Sequence, residues 1–265
     1  MRRLLFWIAI AALASARPMA ATGAVSPVAA AVSPTSAVRV LVFSRTAGFR
    51  HDSIPDGIEA VRKLGAKGPF AMDATEDPTR FTPDNLARYR AVIFLNTTGD
   101  VLDPEQQAAF EKYIRKGGGY VGIHAATDTE YTWPWYARLV GAQFASHPHQ
   151  QEAILRVEDR THPSTKMLPK DWKRFDEWYN FRESPRGKVR VLLNLDESTY
   201  KDGKMGADHP ASWYHEYDGG FSWYTAGGHT KESYSEPLFL EHILGGIRWA
   251  SGLDRPDKAP GKATK

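Results

Sequence analysis

The sequence predicts an α/β fold, a mainly parallel, doubly wound sheet carrying extra antiparallel strands, and three features of the chain predict it. Apolar, β-branched runs alternate with amphipathic segments through the first half, the arrangement of parallel βαβ units. Gly117-Gly118-Gly119-Tyr120-Val121-Gly122-Ile123-His124-Ala125-Ala126 reads as a helix end, a short buried strand and a tight strand-to-helix turn. The second half changes to strands with few helices between them, and antiparallel additions to an open parallel sheet are common.

In chain order, Val38–Phe43 is β-branched and apolar, a buried strand. Ile54, Ile58, Val61 and Leu64 recur at helical spacing, which predicts an amphipathic helix over 55–64. A second strand is expected at 70–74. Thr82 as N-cap, with Pro83 at the first helical position, opens a short helix to Leu86. Ala91–Leu95 is a third strand. Asp103-Pro104-Glu105 opens a helix that runs to Lys116 and stops at Gly117. Residues 120–123 form a fourth strand, followed by the turn at His124 and an elbow helix. Further strands are expected at 152–157 and 189–195. Residues 212–217 and 221–226 read as a hairpin about Asp218-Gly219-Gly220. Pro237–Ala250 is a last helix, with Phe239, Ile243, Ile247 and Ala250 on one face.

The 265 residues, 42% of them hydrophobic, suffice for one sizeable core, and length alone also permits two domains. Arg2 and Arg3, an apolar run over 4–13 and Ala14-Ser15-Ala16 form the pattern of a secretory signal peptide. That run is too short for the roughly 20 residues of a membrane span. The expected organisation is a signal peptide at 1–24, a disordered linker at 25–37, one domain at 38–253 and a disordered tail at 254–265. The protein is therefore expected in the periplasm or outside the cell, with no membrane attachment once the signal is removed. The chain has no cysteine, so an exported fold gains no disulfide and stands on its core. The formal charge is +3, and loss of residues 1–24 removes Arg2, Arg3 and Arg17 and no acid, leaving about zero. A neutral mature chain argues against a nucleic-acid partner, which needs a phosphate-neutralising face.

In an open α/β sheet, ligands sit beyond the carboxyl ends of the strands. His51 follows the first strand, Thr98 the third, His124 and Asp128 the fourth, and His229 the second strand of the hairpin. His147 follows the elbow helix. His124 fills the slot that holds Ser or Cys in a nucleophile elbow, so chemistry there runs through imidazole as base, acid or metal ligand. The turn is expected to expose His124 rather than pack it. His51, His124 and His229 should share one cleft and are candidate ligands for a divalent metal ion, although no H-x-x-x-H or H-E-x-x-H spacing exists. Glu177 lies in Asp176-Glu177-Trp178-Tyr179, and an acid among aromatics can have a raised pKa and act as general acid. His147, Tyr179, Trp213, Asp128 and Thr98 are candidate substrate contacts, the aromatic faces being suited to sugar rings. His162, His209, His215 and His242 are expected to be structural or solvated, and core packing explains most other aromatics.

Five motifs in order carry a family resemblance: 48–54, 117–126, Phe144-x-x-His147-Pro148, Asp176-Glu177-x-Tyr179 and Gly227-Gly228-His229-Thr230. Over residues 39–252 the chain resembles the ThuA-like (trehalose-utilisation) family. The resemblance implies a flavodoxin-like three-layer sandwich related to class I glutamine amidotransferases. It also places the amidotransferase cysteine slot at His124, which implies that amidotransferase activity is absent. It implies a role in sugar catabolism, beside oxidoreductases that make 3-keto-sugars, and hence a small-molecule carbohydrate partner. The expected function is a secreted enzyme acting on a glycoside or 3-keto-sugar by His-mediated, optionally metal-assisted, acid/base chemistry of lyase, hydrolase or isomerase type. In it His124 is base or ligand, Glu177 the acid, and His51 and His229 polarise the carbonyl directly or through a metal. The alternative is a non-catalytic carbohydrate-binding module on a degenerate amidotransferase-like scaffold.

Overall fold

In the computed structural model, which describes residues 38–68 and 70–254, the parallel half is built from strands with apolar residues on both faces. The expected signal peptide, linker and all of the tail but Asp254 lie outside the described residues. Chain order begins β1 (Val38–Phe43), α1 (Ile54–Lys67), β2 (Phe70–Thr75), α2 (Pro83–Leu86), β3 (Ala91–Leu95), α3 (Pro104–Arg115) and β4 (Gly119–Ile123). A 3-10 turn at His124–Thr127 leads to α4 (Pro134–Val140), then β5 (Phe144–Ser146), β6 (Gln151–Val157), β7 (Asp171–Asp176) and β8 (Asn180–Phe181). The chain finishes with β9 (Arg190–Asp196), β10 (Pro210–Tyr217), β11 (Gly220–Thr225) and α5 (Pro237–Ala250). β3 and β4 are buried at every position, as strands covered by helices on both faces must be.

Nine strands form one sheet in the order β2-β1-β3-β4-β11-β10-β9-β6-β7, and β5 pairs with β8 separately. From β2 to β11 every pairing is parallel, and from β11 onward every pairing is antiparallel. The parallel half has the 2-1-3-4-5 order of flavodoxin-like sheets, so the mainly parallel, doubly wound α/β fold with added antiparallel strands is what the chain adopts. α1 and α5 pack together on one face. On the other, α2 packs on α3, and Trp133 just before α4 reaches back to donate to Glu111 of α3.

Local sequence sets the element ends. Asp103 and Gln106 form a reciprocal capping box at the start of α3, and Gly117 at φ +93° ends it. α1 runs three residues past its expected end. Gly65 lets the helix lie against β2, where an added Cβ would come within 2.8 Å of the Phe70 carbonyl. The hairpin turn of β10 and β11 is Asp218-Gly219, both at positive φ. β7 has no counterpart in the sequence reading, because two of its three inward residues, Arg174 and Asp176, are charged.

The curl of the antiparallel half positions the site. β7 lies five interstrand steps from β4, about 24 Å on a flat sheet. Yet Glu177, just after β7, comes within 3.5 Å of His124, just after β4. The antiparallel half of the sheet curls around α5, which fills the curl. The Arg174 guanidinium lies 4.1 Å from the Phe239 ring centre, and His242 packs on Trp223 and Trp172.

Candidate metal centre

Four loops meet beyond the carboxyl ends of β1, β4 and β11 and the end of β7. His51 comes from the first, His124 from the second, His229 from the third and Glu177 from the fourth. Each of the four offers one donor atom, and these atoms lie within 4.8 Å of one another. His124 Nε2 is 3.2 Å from His229 Nδ1 and 3.5 Å from Glu177 Oε2, which is itself 3.0 Å from His229 Nδ1. The His51 ring centre lies 5.0 Å from that of His124 and 4.9 Å from that of His229.

The sequence reading put His124 at an exposed turn. The structure buries it completely, at 0% exposure, with φ at +49° in the left-handed region. A non-glycine residue there costs on the order of 1–3 kcal/mol and persists only where its surroundings over-determine it. Those surroundings are visible. Nδ1–H donates to the Ala226 carbonyl at 2.7 Å, Tyr179 packs on the ring at 4.2 Å, and Tyr224 Oη donates to the His124 carbonyl. The elbow continues as a single 3-10 turn instead of an α-helix, which keeps the imidazole turned into the fold.

The electrostatics also differ from expectation at Glu177. Burial alone would raise its pKa, but the hydrogen bonds and charges of His124 and His229 outweigh it and hold the carboxyl well below its usual range. Glu177 is therefore a carboxylate here and not the protonated acid that the aromatic surroundings suggested. His229 is raised by Glu177 against the opposing effect of burial. His51 is pushed down to about 2, first by burial and then by the neighbouring imidazoles of His124 and His229. It stays neutral, and among the described residues its buried Nδ1 has no hydrogen-bond partner.

The donor set fits a divalent ion. Tetrahedral coordination with bonds of about 2.05 Å separates ligand atoms by about 3.3 Å, the spacing of the His124, His229 and Glu177 donors. A metal-bound imidazole usually donates its second N–H to a carbonyl, as His124 does to Ala226. Three imidazoles and one carboxylate suit zinc and its first-row neighbours better than calcium or magnesium.

The loops are fixed by buried polar groups that the sequence reading did not single out. Asp176 accepts from the backbone N–H of Glu177, Gly228 and His229 and from Ser233 Oγ, and it pairs with buried Arg174. One carboxylate thus sets the backbone of two cluster residues. Asn96, after β3, donates to Ser53 Oγ and to the Gly228 carbonyl and so ties three loops. Its signal in the sequence was its place at a strand's carboxyl end, where only Thr98 was singled out.

The remaining candidates divide. His147 is exposed and sits beside the cluster, with Nδ1 3.1 Å from Glu177 Oε1. Tyr179 backs His124 and is itself buried, so it supports the ring more than it meets solvent. Asp128 lies near His124 and His147, is bonded to Tyr131 Oη, and has its pKa raised by burial. Thr98 and Trp213 are both fully buried. The Thr98 hydroxyl holds the Phe49 carbonyl, whereas Trp213 is a core side chain that donates to the Val140 carbonyl and packs on Tyr224. His209, His215 and His242 each bond a backbone carbonyl, and His162 bonds Ser164, all four away from the cluster. A cleft of about 640 Å³ opens beside Glu177, lined by His147, His149, Phe175, Asp202 and Lys204.

Comparison with known proteins agrees with this geometry at the level of family and fold. A family model described as ThuA, trehalose utilisation, matches residues 39–250. A solved ThuA-like protein from Bacteroides uniformis is 25% identical, with a TM-score of 0.69 over 82% of this chain and 93% of its own. Another, from Parabacteroides merdae, is 23% identical, with a TM-score of 0.70 over 84% of this chain and 93% of its own. A β-galactosidase from Bacillus circulans shares the fold at 13% identity and a TM-score of 0.53, over 82% of this chain and 31% of its own. No protein of curated function matches the sequence.

Proposed function

Because this chain belongs to the ThuA family of trehalose utilisation, we propose that it is an exported, cation-dependent enzyme acting on a glycoside or 3-keto-glycoside. The observation that carries the proposal is the convergence of His51, His124, His229 and Glu177 from four separate loops. A divalent ion held by these four would supply Lewis-acid polarisation of a sugar oxygen.

The chain's own groups then divide the work. His51 is buried and neutral, and its Nδ1 has no hydrogen-bond partner among the described residues, so the ring is free to offer a lone pair to an ion. His124 serves as ligand and not as base: its Nδ1–H is held by Ala226, its Nε2 lone pair faces His229 and Glu177, and its ring is closed to solvent. The proton carrier in this proposal is His147, the imidazole that reaches solvent, steadied by Glu177 Oε1 at 3.1 Å. In a 3-keto-glycoside the ketone acidifies the adjacent C2–H. His147 takes that proton, the C1–C2 double bond forms, the C1–O bond breaks, and the departing oxygen receives a proton from His147 or water. The general-base contribution is of the order of 10²–10⁴-fold in rate.

The test is turnover of 3-keto-disaccharides and their unoxidised parents by the metal-loaded protein, wild type and His147→Ala. His147→Ala should lower kcat by about 10²–10⁴-fold with metal content unchanged. Tight sugar binding with no turnover in the wild type would instead favour a carbohydrate-binding module.

A further inference from the structure

Among the described residues two large apolar side chains are exposed, Phe49 at 65% and Phe175 at 51%, and each lies near a member of the four-residue cluster. Each precedes a cluster residue by two positions, His51 in one case and Glu177 in the other. The Phe49 ring meets His51 edge to face at 4.8 Å, and Phe175 lines the same cleft as Glu177 and His147.

Neither ring is carried by a loosely held segment. Buried Thr98 accepts from Gly48 N and donates to the Phe49 carbonyl, which pins the Phe49 backbone. Phe175 stands opposite Glu152 in the β6–β7 ladder. The charges around Phe49 are already paired, Arg50 with Glu76 and Asp52 with Lys231. Holding an aromatic ring in water on a rigid backbone forgoes its burial, and both rings stand beside members of the cluster, Phe49 on His51 and Phe175 in the cleft with Glu177.

We infer that Phe49 and Phe175 are two stacking platforms on either side of the cation cluster, so that the site takes a substrate with two ring faces and selects against a single sugar ring. The inference rests on the proposed carbohydrate chemistry of this site and adds its substrate class. From Phe49 the path runs over His51, across the cluster to Glu177, and then about 7 Å further, two residues along an extended chain, to Phe175. One pyranose cannot touch both ends of that path, and two linked rings can. The linkage between them then lies over the cluster. C–H faces of sugars pack on aromatic faces, and Phe adds no competing polar group.

The experiment is equilibrium titration of the zinc-loaded protein with trehalose and with methyl α-glucoside, using wild type, Phe49→Ala, Phe175→Ala and Phe175→Tyr. Wild type should bind trehalose at least about tenfold more tightly than the glucoside, the scale of one extra ring contact. Each alanine variant should lose about that factor for trehalose, change the glucoside by less than about threefold, and keep its zinc and melting temperature, whereas Phe175→Tyr should keep the preference. Unchanged trehalose affinity in both alanine variants would overturn the two-platform arrangement and leave the cation-dependent enzyme standing. Loss of self-association without change in sugar binding would overturn it in favour of a contact between two copies of the chain. Failure of the wild type to bind either sugar would overturn this inference, whereas the carbohydrate reading itself falls only if 3-keto-disaccharides are neither bound nor turned over.

Discussion

His124 holds the site together at the residue scale. Its left-handed backbone, its buried ring and its bond to Ala226 make it a residue whose replacement disturbs both fold and cluster. His124→Ala should lower the stability of the metal-free protein by about 1–3 kcal/mol, the cost of leaving the Ala226 carbonyl without its donor. For a domain of this size that is a fall of roughly 2–4 °C in melting temperature per kcal/mol, read from a thermal melt in chelator. An unchanged melt would mean the ring contributes nothing to the fold. Asp176 is the second such residue. Asp176→Asn replaces an acceptor of four hydrogen bonds by a group with half the acceptor capacity and removes one partner of a buried ion pair. A stability loss of about 3 kcal/mol is expected from breaking such a pair, together with 10–100-fold weaker metal binding through misplaced ligand loops. Equal metal affinity in wild type and Asp176→Asn, measured by competition with a chromophoric chelator, would separate the network from the site. The convergence of three histidines was legible in the sequence because each follows a different strand. The burial of His124 was not, because it depends on Tyr179 and Ala226, 55 and 102 residues away in the chain.

At the scale of elements, the parallel half of the sheet was legible because its code is local. Val38–Phe43 and Ala91–Leu95 are continuous apolar runs, and Asp103 with Gln106 announces α3. The capping box gives a clean control: Asp103→Ala should cost about 1 kcal/mol in denaturant unfolding and leave metal affinity unchanged, since it lies away from the cluster. A change in metal affinity would show that α3 is coupled to the site. β7 was hidden for the opposite reason. Its inward face carries Trp172, Arg174 and Asp176, and the two buried charges make sense only beside Ser233, Glu236 and the Gly228 loop. Buried polar networks of this kind are fully satisfied only in the finished fold, so no window of sequence displays them. The same network draws Glu177 across to His124, which is why the acid's low pKa could not be read from its aromatic neighbours.

At the scale of the whole molecule, a sheet that is open at β2 and curled around α5 at its other end brings one carboxylate from its far edge onto three histidines at its carboxyl ends. The family motifs pointed to this edge, but only the curl shows how Glu177 and Asp176 serve it. In the proposed exported state the chain meets extracytoplasmic metal and sugar together, and mass spectrometry of the exported protein should find a new N-terminus between residues 17 and 25. Recovery of intact Met1 from a membrane fraction would overturn that placement. Because a ligand that binds only the folded chain stabilises it, zinc at 100 times its dissociation constant should add about 2.7 kcal/mol, and chelator should remove it. The central claim is that the four convergent side chains are a cation centre. It is tested most directly by titrating the chelator-stripped protein with zinc in a calorimeter, wild type beside His124→Ala. The account predicts one ion per chain in the wild type and none at that site in the variant. Absence of a one-to-one binding event in the wild type, or an identical event in both proteins, would contradict it.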